Sequence, residues 1–573
     1  MFQLLRSRVS LLSTILFLTA CSPAVTGDRR GDSPRPPVDA DRSRALVMVT
    51  DVEVGTLAPK IQGPTNPART TRIFNAGLAI VDGADAAHPY AAEALPRLDT
   101  DTWSVFPDGR METVWKLRPG LAWHDGQPLT SDDFVFAHGV YSDLGLGVFT
   151  PSPQNLITGV SAPDPRTVTI GWSIPYVDAD RLLDSDFGPL PRHLLEEAFT
   201  AYKQDAAARE AFLALPYWTT EYVGNGPYRL TSWERGSHME ATAFDAHPLG
   251  KPKIGRVIVR FVPDANVTFT NVLAESVTYV MSQALRFEQA VLLEREWDAN
   301  KRGVVMYRSA WIDNAGIQFR PEYAGFPELA DVRVRRAIAH GIDRVSLNDA
   351  LFQGRAAIIH SYIIPEQPEF AEVERSITKY EYDPRRVEQL MTEAGFQRDS
   401  DGYFTSQERG RLQPTIAATA GLAELERLLA ILTNTWQRAG IDFQSTVIPS
   451  AQARDNQVRS TFPGLLVWGA AAPRASIHLF ITPQIGTAQT RWGGQNRGGW
   501  SNAEFDRLEN LSTTTLDPRG RTAHIVAMAK LLSDEVPVYP FYPNLGSVAH
   551  LSALKGPEGD STHWNMQEWE WRS

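Results

Sequence analysis

The side chains that commonly carry covalent or metal chemistry are scattered through this 573-residue chain without the spacings such chemistry needs. Twelve histidines are present, but none is paired at ligand spacing and no H-E-x-x-H occurs, so no metal centre is expected. There is no G-x-S-x-G elbow for a nucleophilic serine. There is no Walker loop, and no dinucleotide fingerprint follows a strand, so no cofactor is expected. The glycine-rich run Trp492-Gly493-Gly494-Gln495-Asn496-Arg497-Gly498-Gly499 lacks a phosphate-loop lysine and reads as a mobile loop. Asp132-Asp133 fits the charge preference of a helix N-terminus better than acid–base work. The remaining chemistry is recognition by tryptophan, of which there are 15. Trp115, Trp123, Trp233 and Trp436 sit on recognisable element faces and read as core. Trp468 closes an apolar strand and precedes a loop, where open α/β sheets hold ligands. Trp492 and Trp500 flank the glycine-rich loop.

The elements that position these residues mix strand and helix throughout. Met111, Thr113, Trp115 and Leu117 alternate on one strand face, opposite Glu112, Lys116 and Arg118. Pro119-Gly120 breaks that strand, Leu121 and Trp123 resume it, and His124-Asp125-Gly126 turns the chain. Thr130 and Asp133 have capping-box spacing for a helix carrying Phe134 and Ala137. Further on, Gln413 to Thr419 reads as a strand. Leu425, Leu428, Leu429, Leu432 and Trp436 follow helical spacing, and Gly440 stands at the C′ position. Ile441, Phe443 and Val447-Ile448 read as the next strand, which makes a right-handed βαβ unit of a parallel sheet. Gly464 to Trp468 is another buried strand, ended by Gly469 and Pro473.

The first residues read as a leader. Arg6 and Arg8 precede an apolar run, Val9 to Leu18, too short to span a bilayer but suited to a signal peptide over residues 1–20. Leu18-Thr19-Ala20-Cys21 resembles a lipobox, and Cys21 is the chain's one cysteine. That resemblance implies cleavage before Cys21 and lipid attachment there, anchoring the body to a membrane. No intramolecular disulfide is possible. Residues 21–44 carry prolines and glycines and almost no apolar side chains, so they read as a disordered tether with a span of about 25–30 Å. Net charge is −11, or −13 once Arg6 and Arg8 leave with the leader. An acidic chain without basic clusters argues against nucleic acid as a partner.

Several landmarks stand in a fixed order. They are Trp115 to Phe136, Val223-Gly224-Asn225-Gly226-Pro227-Tyr228, Arg260 to Asn266, Asp331 to Arg344, Tyr382-Asp383-Pro384 before Ala394-Gly395-Phe396, Gly499-Trp500-Ser501-Asn502 with Asp506, and Trp564-Asn565-Met566. Together they resemble the extracellular solute-binding proteins of ABC transporters, the peptide/nickel (family 5) class. The resemblance implies an α/β, two-lobed periplasmic-binding-protein-like fold (type II, cluster C) with an extra subdomain inserted in lobe one. By that analogy lobe one takes residues 45–75, 216–305 and 538–573, the inserted subdomain 76–215, and lobe two 306–537. It implies a monomer that captures a peptide or another small solute between its lobes and delivers it to ABC permease subunits. Its substrate would meet Asn75 from lobe one, Trp311 and Gln318 near the passage into lobe two, Trp468 and Ala470 at the strand end, and Trp492 and Trp500 beside the loop. In peptide-binding relatives an aspartate follows the corresponding tryptophan and pairs with the peptide amine. Here the run Trp468-Gly469-Ala470-Ala471-Ala472-Pro473 holds no acid, and Ala471 is the counterpart. Two other classes compete with transport. An exported envelope hydrolase would need a nucleophile beside a base, and a sensor or assembly lipoprotein would use the same fold without transport.

Overall fold

The computed structural model describes residues 44–60, 68–146, 152–420, 423–453, 455–470, 477–557 and 563–572. Cys21 and its lipobox, the tether before Arg44, and Ala471 to Pro473 lie outside the described residues.

The centre of the molecule is a ten-stranded mixed sheet. Its strands are β1 (Leu46–Thr50), β2 (Tyr228–Glu234), β3 (His238–Ala243), β4 (Arg256–Phe261), β5 (Tyr279–Val280), β6 (Gly303–Ile317), β7 (Thr415–Thr419), β8 (Gln444–Ile448), β9 (Leu465–Ala470) and β10 (Val538–Leu551). Their spatial order is β8-β7-β9-β6-β10-β5-β1-β4-β3-β2. Two lobes share this sheet because β6 and β10 are long and antiparallel. Gly303 to Ser309 pairs with Leu545 to Leu551, where β5 adds on. Ile312 to Gly316 pairs with Pro543 to Val538 on one side, and Ile312 to Ile317 pairs with β9 on the other.

The register shifts twice at the crossing, between Ser309 and Trp311 and between Asp313 and Asn314. Proline explains the irregularity. Pro543 opposes Ile312 and Pro540 opposes Asn314, and neither can donate to the ladder. Such bulged, proline-bearing positions are where a strand bends most easily. Almost every residue of β10 is buried, as befits a strand covered on both faces.

Around β6 to β9 the second lobe is three-layered. One face packs against the helices Val332–His340, Arg344–Phe352, Pro384–Glu393 and Ala423–Arg438. The other packs against Phe370–Ser376, Ala503–Thr514 and Pro518–Glu535. The βαβ reading of this region holds: β7 pairs in parallel with β8, and the intervening helix buries Leu428, Leu429, Leu432 and Trp436. Gly440 follows that helix with φ +94°. One detail differs. Gly469 does not end β9, which continues to Ala470.

A separate four-stranded antiparallel sheet, ordered Trp103–Val105, Met111–Lys116, Thr167–Trp172, Ile157–Asp164, lies in the chain between β1 and β2. Met111, Thr113 and Trp115 face its core, as the alternation requires. The helix Ser131–Tyr141 follows, with the Asp133 carboxylate accepting from the Thr130 N–H at 2.9 Å.

Candidate ligand-binding site

The lobe-one side of the site is a knot of backbone contacts. Phe74 C=O accepts from the N–H groups of Asn225 and Gly226 at 3.1 and 2.9 Å. This close approach requires glycine. A Cβ on Gly226 would stand 2.4 Å from Asn75 N and 2.5 Å from Phe74 C, and one on Gly224 would stand 2.1 Å from Phe74 O. The turn at His124 closes the knot. His124 Nδ1 accepts from the Gly224 N–H at 3.2 Å, so the ring proton sits on Nε2, which faces Gly226 O at 3.0 Å. Burial pulls the imidazole pKa down to about 4, so the ring is neutral. Two stretches a hundred residues apart, H-D-G and G-N-G-P-Y, thus fix one another and present residues 73–76.

Asn75 sits inside this knot. Its Nδ2 donates to Leu57 O at 2.9 Å and Thr71 O at 2.8 Å, and its Oδ1 accepts from the Tyr222 hydroxyl. The side chain is buried and its hydrogen-bonding capacity is largely spent on lobe one.

At the crossing, Trp311 is half-buried. Its Nε1 donates to Asp313 Oδ1 at 2.9 Å, and its ring lies over Gly469. Asn544, from the paired strand, donates to Asp313 Oδ2 at 2.8 Å and to Glu424 Oε1 at 2.6 Å. Burial raises the pKa of Asp313 to about 6, against the effect of those hydrogen bonds. Burial, then the neighbouring Asp313, raises that of Glu424 to about 7. Sequence reasoning missed this carboxylate–amide–carboxylate array. Its members are 111 residues or more apart along the chain, and only the strand pairing brings them together.

In the second lobe, Gln318 is buried. It donates to Ser460 O and Phe462 O and accepts from Arg320. Trp468 is 5% exposed, lies against Gly316, and carries Arg497 over its ring at 5.4 Å. Trp500 is also buried and donates to Glu535 at 3.0 Å. Ala470 pairs with Ile312 at the end of β9. Trp492 takes a left-handed backbone, φ +59°, with its ring edge-on to Tyr323. Of the expected contact residues, Trp468 and Trp500 share one cavity, Trp311 and Ala470 flank Gly469, and Asn75 belongs to the other lobe.

The second half of the glycine-rich segment, read from composition as part of a mobile loop, is closely packed in the structure. Asn496 Nδ2 donates to Phe480, Ile481 and Trp500 carbonyls, and Gly498 O accepts from Phe319 N at 2.7 Å. A Cβ on Gly498 would lie 2.0 Å from Ile317 O. Glycine serves close packing on the end of β6 here.

The lobes also touch away from the crossing. Val177 N donates to Thr513 O at 3.3 Å, and Arg308 Nη1 donates to Gly83 O at 2.9 Å. Among the described residues no cluster of three metal-binding side chains occurs, and no helix is long and apolar enough to cross a membrane.

The family model of bacterial extracellular solute-binding proteins, family 5 Middle, matches residues 93–483. The chain is 22% identical to the oligopeptide-binding protein AppA of Bacillus subtilis over 480 residues, 81% of each chain. It is 20% identical to heme-binding protein A of Haemophilus influenzae over 572 residues, 96% of each. In fold it is similar to NikZ from Campylobacter jejuni, solved in complex with Ni(L-His), with a TM-score of 0.73, 19% identity, and coverage of 92% of this chain and 99% of that one. The oligopeptide-binding protein of Thermus thermophilus, solved with a pentapeptide, gives 0.73, 22%, 93% and 96%.

Proposed function

This chain belongs to the bacterial extracellular solute-binding proteins, family 5, and on that premise we propose that it is the lipid-anchored, substrate-binding component of an ABC importer. It captures a solute between its lobes and delivers it to the permease. The observation that carries this reading is the pair of bulged strands, β6 and β10, shared by both lobes. A ligand that touches both lobes only when they are closed shifts the open–closed population without any covalent step. The family is one of binding proteins, and we read this chain as non-catalytic. Turnover of model ester, peptide or glycoside substrates would overturn that.

Contact with cargo is assigned to Asn75, Trp311, Gln318, Trp468, Ala470, Trp492 and Trp500. Because their side chains are mostly engaged or buried, Asn75 and Gln318 contribute through neighbouring backbone, as β-pairing recognition of peptides does. Relatives bear names that span oligopeptide and heme, so cargo class follows from local chemistry. The run after Trp468 has no acid, and a buried ammonium without a partner costs several kcal/mol. The cargo is therefore a blocked or internal peptide, a glycan, or another solute without a free amine at that point. Calorimetry comparing free and N-acetylated peptides with neutral oligosaccharides tests this. Submicromolar binding of a free peptide, lost on acetylation, would refute it and turn attention to Glu424 as the receiving carboxylate.

Anchoring rests on Cys21 alone. Cys21→Ser should release the protein from the membrane fraction or leave its precursor uncleaved. Unchanged fractionation and migration would contradict lipidation.

A further inference from the structure

The second lobe holds a buried cation with an unused donor. Arg497 is 6% exposed, and its Nη1 has no hydrogen-bond partner. Its Nη2 donates to Gln495 Oε1 at 3.1 Å, and its guanidinium lies 5.4 Å from the centre of the Trp468 ring. The indole Nε1 of Trp468 is likewise buried without a partner. Both residues line one small cavity, together with Gly316, Phe480, Gly498 and Trp500. Trp500 is not a third free donor, because its Nε1 is already spent on Glu535.

Two unpaired N–H donors on one cavity are costly unless something accepts from them. No carboxylate of the described residues pairs with Arg497, and a neighbouring charge that acts on it is another cation, Arg459. Burial and Arg459 together pull its pKa down to about 9. Arg320 adds further positive charge: its guanidinium donates to Arg497 O at 2.8 Å and to Gly486 O at 2.7 Å. The cavity volume is ≈ 10 Å³, room for about one water-sized particle. A water would satisfy the donors but leave the charge uncompensated. A small anion satisfies both.

We infer that the cavity between Trp468 and Arg497 binds a small monoanion, accepting from Arg497 Nη1 and Trp468 Nε1. The anion is either a free halide or one carboxylate oxygen of the cargo. The halide form does not depend on the transport reading, and the carboxylate form adds an anionic end to the cargo proposed above.

The test uses the cargo-free protein. Thermal midpoints are measured across bromide and formate concentrations, with gluconate holding ionic strength constant. Crystals soaked in bromide are read by anomalous diffraction. A bromide-dependent rise in midpoint, with an anomalous peak beside Arg497 Nη1, supports the halide. A rise with formate only, matched by tighter binding of carboxylate-ended than amidated cargo, supports the carboxylate. Arg497→Gln should abolish the dependence. Should Arg497→Gln fail to fold, Trp468→Phe removes only the indole donor and should raise the half-saturating anion concentration about fivefold. Midpoints unmoved by either anion, no Arg497-dependent carboxylate preference, and a cavity occupied by water alone would overturn the inference.

Discussion

Glu424 and Asp313 show what one residue contributes and how it can be tested. Both are acids that the fold pushes towards the neutral form, to about 7 and about 6. A carboxyl with a raised pKa holds its proton more tightly folded than unfolded. Its contribution is intact below the unfolded value, near 4.5 for Glu424, and is lost as pH rises through about 7. Glu424→Gln keeps an acceptor for Asn544 but never ionises. It should match the wild type at pH 4 and exceed it at pH 8, by on the order of 1–2 kcal/mol. Denaturant melts at the two pH values check this, and a difference independent of pH would show that the array carries no ionisation cost. At this scale the sequence is a poor guide. Trp468 could be picked out because it ends an apolar run. Arg497 could not, because an arginine among glycines reads as surface until the packing of Gly498 on Ile317 buries it.

Elements were legible where their signals are local. The alternation around Trp115, the turn at Gly126 (φ +90°) and the helix ended before Gly440 all follow from period and turn chemistry. β10 was not legible as a central strand, because Val538-Tyr539-Pro540-Phe541-Tyr542-Pro543 carries two prolines. Its register shifts absorb them. The G-N-G-P-Y entry into β2 was visible as a motif, but its reason is tertiary: it leaves space for Phe74 and Asn75. Gly226→Ala places a methyl against backbone that cannot move aside. It should cost about 2–3 kcal/mol and lower the thermal midpoint by several degrees. An alanine variant as stable as the wild type would mean that residues 73–76 are not held by this contact.

At the scale of the molecule, the proposed capture requires that the strands joining the lobes let them move, and the lobes also meet away from those strands. Val177 lies in the chain segment between β1 and β2, and Thr513 lies in the last turn of the helix Ala503–Thr514 of the second lobe. Their backbones are joined by a 3.3 Å hydrogen bond. Nearby, Asp178 feels the positive charge of Arg521 across the same boundary. In the proposed mechanism a contact of this kind would be lost as the lobes part at the bulges of β6 and β10. Two cysteines at these positions should therefore act as a lock, since backbones this close bring the Cα atoms within disulfide range, about 4.4–6.8 Å. With the natural Cys21 removed, Val177→Cys with Thr513→Cys should oxidise to a single intramolecular disulfide. The oxidised protein should keep one compact radius of gyration with and without cargo and exchange cargo far more slowly. The reduced protein should expand without cargo and contract with it. If the disulfide forms and cargo still enters and leaves at the unlocked rate, then the lobes do not gate the site. The bulged strands would then be a rigid brace rather than a hinge.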